Sequence, residues 1–276
     1  MKFTKTACGL AIVAAFLVSG CATWDNLFGK KLPDVKGSSA FFLYDGGHTR
    51  MMNILSPAIT RDQFKGLVDQ MKNDGANFTY IFVINEHDGP WTPYSFYVGN
   101  AIEGQIDNNI VSEYQWRLDY VRSKDLGVII WLRADDSPNF NKLAKEKYQA
   151  DAVKLFDKYA SAWCVGLELD EYYDAATVER YAAHLKSLTK KPIYTHQTPM
   201  KITYAQLKDV DGCLLQYGFG KAPAKIESDT RNVVAAMGGK PVIAAEYHQT
   251  SNSEQAKGMG DAAMRGGAYG TGNGRH

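Results

Sequence analysis

Two short apolar runs of the sequence each lead into acidic residues. The first, Val-Gly-Leu-Glu-Leu-Asp-Glu-Tyr, contains Glu168, Asp170 and Glu171, and the second, Pro-Val-Ile-Ala-Ala-Glu-Tyr-His, contains Glu246. A carboxylate at the end of a buried strand is costly to desolvate unless it has a partner or a chemical task. Two carboxylates that face one cleft can act as proton donor and as nucleophile or base. The pattern predicts a catalytic carboxylate pair, provided that the fold brings the two runs together.

The elements that would position these acids alternate between strand and helix patterns. Thr60 and Gln63, for example, form a candidate capping box at the start of the first long helix. Strand-helix units at this spacing predict an α/β fold with a parallel sheet, and about eight of them favour a (β/α)8 TIM barrel. The predicted strands are 40–45, 78–85, 128–133, 165–170, 192–196, 212–217, 242–246 and 268–271. Because the chain ends just after the last strand, we expect the eighth helix to be missing.

Side chains along a barrel strand alternate between the lumen and the surrounding helices. On the fourth predicted strand this alternation directs Glu168 and Asp170 into the lumen, and Glu171 lies at the strand end, where a bulge could re-aim it. On the seventh strand Ala244 and Glu246 share a face, so the small Ala244 should leave room beneath Glu246. Both acids are therefore expected at the C-terminal mouth of the barrel, where such folds carry out chemistry.

Polar, ionisable and aromatic residues gather at the ends of the predicted strands and in the loops that follow. The strands begin instead in Pro, Gly or apolar residues, and this asymmetry indicates a binding face. The candidate substrate-binding residues are Asp45, His48, Glu86, Trp91, Arg133, Asp135, His196, Gln216, Tyr217, Tyr247 and His248. Trp91 belongs to an aromatic-rich loop of the kind that stacks on sugar rings, and the same aromatics would equally suit packing across the barrel rim.

The two acidic runs resemble the catalytic strands of the retaining (β/α)8-barrel glycoside hydrolases. Residues 170–172, Asp-Glu-Tyr, are similar to the Asn-Glu-aromatic ending of the fourth strand in that clan. Residues 240–246 are similar to its Lys-Pro-apolar-apolar-x-Glu nucleophile strand, and residues 75–78 to its Gly-x-Asn entry to the second strand. The resemblance covers most of residues 40–271. It departs from the clan at Asp170, which stands where the clan has Asn.

This resemblance implies a two-carboxylate retaining mechanism. Glu171 would protonate the leaving oxygen and Glu246 would attack the anomeric carbon, with the carboxyl groups about 5–5.5 Å apart. Glu168 is a competing proton donor, on which Asp170 would act through its like charge. An ion pair with Arg133 is the structural alternative for Glu246. Candidates to orient the nucleophile are Tyr217, Tyr247 and His196, and candidates to hold sugar hydroxyls are Arg133, Asp45 and Gln216.

The N-terminal residues have the pattern of a secretory signal. Lys2 and Lys5 precede an apolar run over residues 7–18, which is too short to span a bilayer. The run ends in Val-Ser-Gly-Cys, which resembles the bacterial lipobox, in which the Cys is acylated. The alternative is a plain secretory signal with an incidental Cys21.

We therefore expect a lipoprotein signal peptide over residues 1–20, a lipid-anchored tether over 21–39 and the barrel domain over 40–276. The anchor at Cys21 would attach the protein to a membrane of the bacterial cell envelope. Ala22 follows the Cys, which fits sorting to the outer membrane.

Composition argues against several other classes. Lys and Arg number 31 against 30 Asp and Glu, so a nucleic-acid partner is not expected. Amidohydrolase-type barrels need a His-x-His pair on the first strand, where only His48 is present, and enolase-type barrels need an acid after the fifth strand, where His196-Gln197 stands. We expect no metal and no cofactor. Cys164 and Cys213 lie on strands that one further strand separates, so both thiols are expected to be free.

The leading hypothesis is a lipid-anchored glycosidase that cleaves a polysaccharide or an envelope glycan. The alternative is a non-catalytic lipoprotein that binds glycan or protein on a decayed barrel site. The missing eighth helix and the replacement of Asn by Asp170 would suit that alternative. The sequence does not indicate the sugar, the linkage or the oligomeric state.

Overall fold

The computed structural model describes residues 44–45, 48–49, 54–73, 75–84, 94–100, 104–132, 145–217, 221–246 and 253–271. Its strands are β1 (Tyr44–Asp45), β2 (His48–Thr49), β3 (Phe78–Phe82), β4 (Gly127–Trp131), β5 (Ala162–Cys164), β6 (Ile193–Gln197), β7 (Gly212–Gln216), β8 (Val242–Glu246) and β9 (Gly270–Thr271). Its α-helices are α1 (Arg61–Asn73), α2 (Asn108–Ser123), α3 (Lys145–Phe156), α4 (Leu169–Tyr172), α5 (Ala175–Leu188), α6 (Ile202–Ala205), α7 (Pro223–Ala236) and α8 (Ser253–Arg265).

Strands β3 to β9 form one parallel sheet of seven strands, paired in the order of the chain. Every residue of β3 and β4 is buried, as expected when a parallel sheet is covered on both faces. Helices join successive strands, so the sheet is built from repeated strand-helix units. This arrangement confirms the predicted α/β barrel class for the part of the chain that the structure describes.

The sheet is strongly curved. The Trp131 ring on β4 lies 4.7 Å from the His196 ring on β6, although one whole strand separates β4 from β6. Tyr80 and Phe82 of β3 meet the same Trp131 ring at 5.3 and 5.7 Å between centroids. Strands two places apart in a flat sheet lie about 9.6 Å apart, so these side chains point toward a common concave side, here called the inner face.

The opposite side of the sheet, the outer face, packs against helices. On the last strands it buries Cys213 and Leu215 of β7 with Val242 and Ala244 of β8. These side chains pack in one cluster with α7 and α8, including Met259. The intervening residues Leu214 and Ile243 belong instead to the central core. Single residues thus alternate between the two faces over 213–215 and 242–244, but Ala244 lies on the outer face although it was predicted to face the lumen.

Aromatic packing at the inner face requires a glycine. A Cβ atom at Gly212 would lie 2.3 Å from Cε1 of Tyr194 on the neighbouring strand. The ring of Tyr194, which is fully buried, therefore occupies the space that any other residue at the start of β7 would need. The close approach explains why this strand begins with Gly.

Most predicted elements are confirmed. All predicted strands except the first and fourth coincide with strands of the sheet to within a few residues. The capping box at α1 is also confirmed, because the Gln63 N–H donates to Thr60 Oγ1 at 3.2 Å and the Thr60 N–H donates to Gln63 Oε1 at 2.9 Å.

The fourth predicted strand was misplaced. The chain pairs as β5 only over Ala162–Cys164, with β4 on one side and β6 on the other. Residues 165–168 form a loop, and the run predicted as strand continues into the short helix α4. The backbone of Glu168 is left-handed, with φ 44° and ψ 43°, and no strand can continue through that conformation.

The first predicted strand is described only in part. Tyr44–Asp45 pairs antiparallel with His48–Thr49 and lies outside the parallel sheet, whereas a parallel strand was predicted. Residues 40–43 lie outside the described residues. Among the helices that the structure describes, none is long and apolar enough to cross a bilayer.

The prediction that Cys164 and Cys213 are free thiols is confirmed, and both are fully buried. One strand, β6, separates the strands that carry them. Burial raises the pKa of both thiols, that of Cys213 to about 12.

Candidate active site

Four side chains from neighbouring elements meet at the C-terminal edge of the parallel sheet. Gln216 and Glu246 are the last residues of β7 and β8, and His196 is the last residue but one of β6. Glu168 lies in the loop after β5 and precedes α4. The sequence predicted all four as site residues, and the structure brings them together.

Glu168 is held through both its backbone and its side chain. Its N–H donates a hydrogen bond of 2.9 Å to Nδ1 of His196, and its carboxylate accepts a hydrogen bond from the side-chain amide of Gln216. Its left-handed backbone is one of only two non-glycine cases with positive φ among the described residues. Such a conformation costs on the order of 1–3 kcal/mol and is found where surrounding contacts enforce it.

Glu246 reaches the inner face because of an irregularity in β8. Leu215 pairs with Ala244, but the next residue, Gln216, pairs with Glu246. Ala245 is therefore an extra residue, a β-bulge that re-aims the residue after it. Ala244 faces the outer helices, so the prediction that Ala244 lies beneath Glu246 is wrong. The expected position of Glu246 is correct, but the bulge produces it and simple alternation does not.

His196 lies between the two acids. Its Nε2 is 3.8 Å from Oε2 of Glu246, while its Nδ1 accepts the Glu168 N–H. The ring is fully buried and packs on Trp131. Burial lowers the pKa of His196 to about 3, so the imidazole is neutral at physiological pH.

Asp170 and Glu171 occupy different environments on α4. Oδ2 of Asp170 accepts hydrogen bonds from the backbone N–H and the hydroxyl of Thr198, at 3.1 and 2.6 Å. This contact ties α4 to the loop after β6. Glu171 is exposed, and its backbone N–H donates to the carbonyl of Glu168 at 3.0 Å. Asp170, which alternation placed in the lumen with Glu168, therefore binds the loop after β6, and Glu171, which was predicted at the strand end, is exposed on α4.

Tyr217 was expected to contact substrate or to orient the nucleophile. The structure instead pairs its hydroxyl with that of Thr230 on α7, on the outer face of the sheet. It does contact Glu246, but through the backbone, because its N–H donates to the Glu246 carbonyl at 2.6 Å. Its side chain is directed away from the predicted mouth, so we do not assign it to substrate.

Several predicted residues are not placed. Asp45 and His48 pair through their backbones in β1 and β2, and the structure does not describe their side chains. The residues that lie outside the described residues are Cys21, Glu86, Trp91, Arg133, Asp135, Tyr247 and His248. Their proposed roles stay predictions. Within the described ranges, no three His, Cys, Asp or Glu side chains are grouped closely enough to hold a metal ion.

Sequence reasoning missed two residues of this region. Trp131 supports the His196 ring from β4, and Thr198 anchors α4 through Asp170. A weak signal existed for both, since Trp131 lies in a predicted strand and Thr198 directly follows one. Their partners depend on the curvature of the sheet and on the position of α4, which the sequence pattern does not encode.

This arrangement can support acid-base and nucleophilic chemistry. Two acid-bearing segments, the end of β8 and the loop that leads into α4, converge on one neutral imidazole at the edge where parallel-sheet enzymes bind their substrates. An acid on each segment allows one carboxylate to attack while another transfers a proton.

No protein-family model matches the sequence, and no curated protein matches it either. Solved structures do match the fold. A glycoside hydrolase family 5 protein from Bacteroides vulgatus aligns with a TM-score of 0.58 and 14% identity, over 78% of this chain and 55% of that chain. An exo-β-1,4-mannosidase from Opitutaceae bacterium strain TAV5 aligns with a TM-score of 0.62 and 13% identity, over 85% of this chain and 51% of that chain.

An endo-β-1,4-mannanase from Thermotoga petrophila aligns with a TM-score of 0.59 and 14% identity, over 89% of this chain and 68% of that chain. The present chain spans about half the length of the first two of these proteins. At such low identity the likeness concerns the fold alone. The protein has the parallel, helix-covered sheet of the (β/α)8 barrel seen in glycoside hydrolase family 5 structures.

Proposed function

We propose that this protein is a retaining glycosidase in which Glu246 is the nucleophile and Glu171 is the proton donor. The observation that carries the proposal is the convergence of the two acidic segments on His196, at 2.9 Å from the Glu168 N–H and 3.8 Å from the Glu246 carboxylate. The barrel fold of family 5 glycoside hydrolases supports it.

Glu246 has the properties that a nucleophile needs. The bulge directs it to the inner face, and its side chain keeps 19% of its surface exposed, so a bound sugar can reach it. The Nε2–H group of the neutral imidazole lies 3.8 Å from this carboxylate and is a potential hydrogen-bond donor to it.

Glu171 is the acid of the first run that is best placed to meet a leaving group. Glu171 is exposed on α4, whereas Glu168 and Asp170 are partly buried, so a glycosidic oxygen can approach Glu171 most directly from solvent. Tyr172 beside it is 38% exposed and offers an aromatic surface to a sugar ring. Glu168 is the second candidate donor, because its N–H binds His196 and its carboxylate binds Gln216, the residue that pairs with Glu246.

The proposed reaction has two steps. Glu246 attacks the anomeric carbon while Glu171 gives its proton to the glycosidic oxygen, so that the leaving group departs as an alcohol and a glycosyl ester forms on Glu246. The Glu171 carboxylate then takes a proton from water, and the water oxygen attacks the anomeric carbon. This second displacement frees Glu246 and gives a product of retained configuration.

The test compares Glu246→Gln, Glu171→Gln and Glu168→Gln on aryl β-mannosides, aryl β-glucosides and β-1,4-mannan. The mannosides and the mannan follow from the named activities of the structural neighbours, and the glucosides test the preference for the sugar. Glu246→Gln should abolish hydrolysis of all of them. Glu171→Gln should slow the hydrolysis of glycosides with poor leaving groups by about 10²–10⁴-fold. It should spare the formation of the glycosyl ester from dinitrophenyl glycosides, whose leaving group needs no protonation. Azide should restore turnover by replacing water in the second step.

Glu146→Gln is the matched control, since Glu146 is a partly exposed residue of α3 and should leave activity unchanged. If Glu168→Gln shows the leaving-group pattern and Glu171→Gln does not, Glu168 is the donor. If the wild type binds glycans without hydrolysing any of the panel, the protein is a binding module and the glycosidase proposal is wrong.

We also propose that the enzyme is a lipoprotein of the bacterial cell envelope, anchored through Cys21. The support is the sequence pattern that ends in Val-Ser-Gly-Cys. Cys21→Ser should move the protein from the membrane fraction to the soluble fraction of the envelope, with Cys164→Ser as control. Unchanged membrane attachment of the Cys21→Ser protein would contradict the lipid anchor.

A further inference from the structure

The imidazole of His196 contacts both acidic segments of the site. Nδ1 accepts the backbone N–H of Glu168 at 2.9 Å, and Nε2 lies 3.8 Å from Oε2 of Glu246. The ring is completely buried and is supported by Trp131 at 4.7 Å. It therefore has little freedom to rotate away from either segment.

The contact at Nδ1 determines where the proton of the neutral ring resides. A nitrogen that accepts an N–H hydrogen bond carries no proton, so in the neutral imidazole the proton is on Nε2. Nε2 is buried and has no hydrogen-bond partner among the described residues. The Glu246 carboxylate lies 3.8 Å from it, a distance that a bound substrate can shorten to a hydrogen bond.

The two nitrogens therefore act on different segments. Nδ1 holds the backbone of Glu168, whose φ of 44° is a conformation that needs enforcement. Glu168 is the residue from which α4 begins, so this bond sets the start of the helix that carries Glu171. The Nε2–H group faces the carboxylate on β8.

We propose that His196 is a positioning residue that fixes the proton-donor helix and the nucleophile relative to each other, with each ring nitrogen serving one of them. This inference rests on the proposed glycosidase function for its kinetic consequences. The inferred tautomer does not depend on that function, because it is a property of the protein without substrate.

Two substitutions distinguish the roles of the two ring nitrogens. In His196→Asn the side-chain oxygen takes approximately the place of Nδ1, so the bond to Glu168 survives and the group facing Glu246 is lost. In His196→Gln the amide reaches approximately the place of Nε2, so a donor still faces Glu246 while the bond to Glu168 is lost. The kinetic readout is the step that each variant impairs.

For His196→Asn we expect slower attack by Glu246 on every substrate, including dinitrophenyl glycosides and a fluoride-activated 2-deoxy-2-fluoroglycoside that traps the glycosyl ester. For His196→Gln we expect slower turnover of substrates with poor leaving groups, while dinitrophenyl glycosides and the trapping reaction stay close to wild type. The losses should be on the order of 10- to 100-fold. A merely structural His196 would impair both substrate classes equally in both variants, and that result would overturn the proposal.

Nitrogen-15 NMR of the wild-type protein supplies a measurement that needs no activity. The proposal requires a neutral ring with the proton on Nε2 and an unprotonated Nδ1 throughout the pH range in which the protein is folded. The opposite tautomer, or a charged ring at neutral pH, would overturn it even if the enzyme hydrolyses glycosides. If the required tautomer is found but no glycoside is hydrolysed, the glycosidase proposal fails, and the kinetic role fails with it.

Discussion

At the scale of single residues, the site combines a strained backbone with a buried neutral ring. Glu168 adopts a conformation that few non-glycine residues adopt, and the hydrogen bond to His196 and the bond to Gln216 stabilise it. The ring of His196 can accept that bond only while Nδ1 is unprotonated. Protonation of His196 would therefore remove a contact of the native site, and burial already disfavours the charged ring.

This coupling predicts a pH dependence of stability. Burial lowers the pKa of His196 in the folded protein to about 3, against about 6.5 in an unfolded chain. The contribution of the neutral His196 ring to the free energy of unfolding is complete above about pH 6.5. It is lost as the pH falls toward 3, because the unfolded chain then binds a proton that the native ring does not. The free energy of unfolding should fall by up to about 1.4 kcal/mol per pH unit in that interval.

Denaturant unfolding of the wild type and of His196→Gln at pH 7, 6, 5 and 4 measures this contribution. Carboxylates titrate in both proteins, so the informative quantity is the difference in slope between them. The wild type should lose stability more steeply between pH 6.5 and 5, where only His196 distinguishes the two. Equal slopes would show that the ring is not kept neutral by the fold.

At the scale of elements, the bulge in β8 decides which face of the sheet Glu246 occupies. Leu215 and Ala244 pair on the outer face, and in a strand of the same sequence without a bulge Glu246, two residues after Ala244, would return to that face. Since side chains of a strand alternate with a period of two, a shift of one residue moves a side chain to the other side of the sheet.

Deletion of Ala245 should leave Glu246 on the inner face, because Glu246 would then directly follow the outer residue Ala244 and would pair with Gln216 without a bulge. We therefore expect covalent trapping at Glu246 to persist in the deletion variant. Ala245→Gly keeps the length of the strand and serves as control. Loss of trapping from a folded deletion variant would contradict this account, because alternation without a bulge predicts that the deletion turns Glu246 toward the helices.

At the scale of the whole molecule, the parallel sheet buries both of the thiols that its described strands carry. Cys164 on β5 and Cys213 on β7 are each completely buried, and burial raises the pKa of both thiols. A thiol reagent reacts with the thiolate, so it can react with these residues only after the sheet has opened.

We accordingly predict that a chain starting at residue 22, whose only thiols are Cys164 and Cys213, reacts with a disulfide reagent at the rate at which the sheet opens. Reaction should be slow in buffer and should become fast across the unfolding transition in urea. Cys164→Ser and Cys213→Ser assign the two sites. Rapid labelling of either thiol in the folded protein would show that its face of the sheet opens locally.

The sequence by itself predicted the class of fold and most of the strands. Period-two apolar runs and helix caps such as Thr60 with Gln63 are local signals, and local contacts satisfy them. It also identified both acidic runs, because an acid that follows an apolar run is visible without knowledge of any distant contact. The strand alternation that it supplied failed at Glu168 and at Ala244.

Only the tertiary structure decided how those acids are used. The end of β5 at Cys164, the left-handed backbone of Glu168 and the bulge at Ala245 all depend on pairing with strands that are remote in the sequence. The position of His196 between the two acidic segments depends on the curvature of the sheet, which brings together side chains from strands that are not neighbours. Sequence periodicity describes one strand at a time, whereas a site of this kind is set by the register and curvature of several.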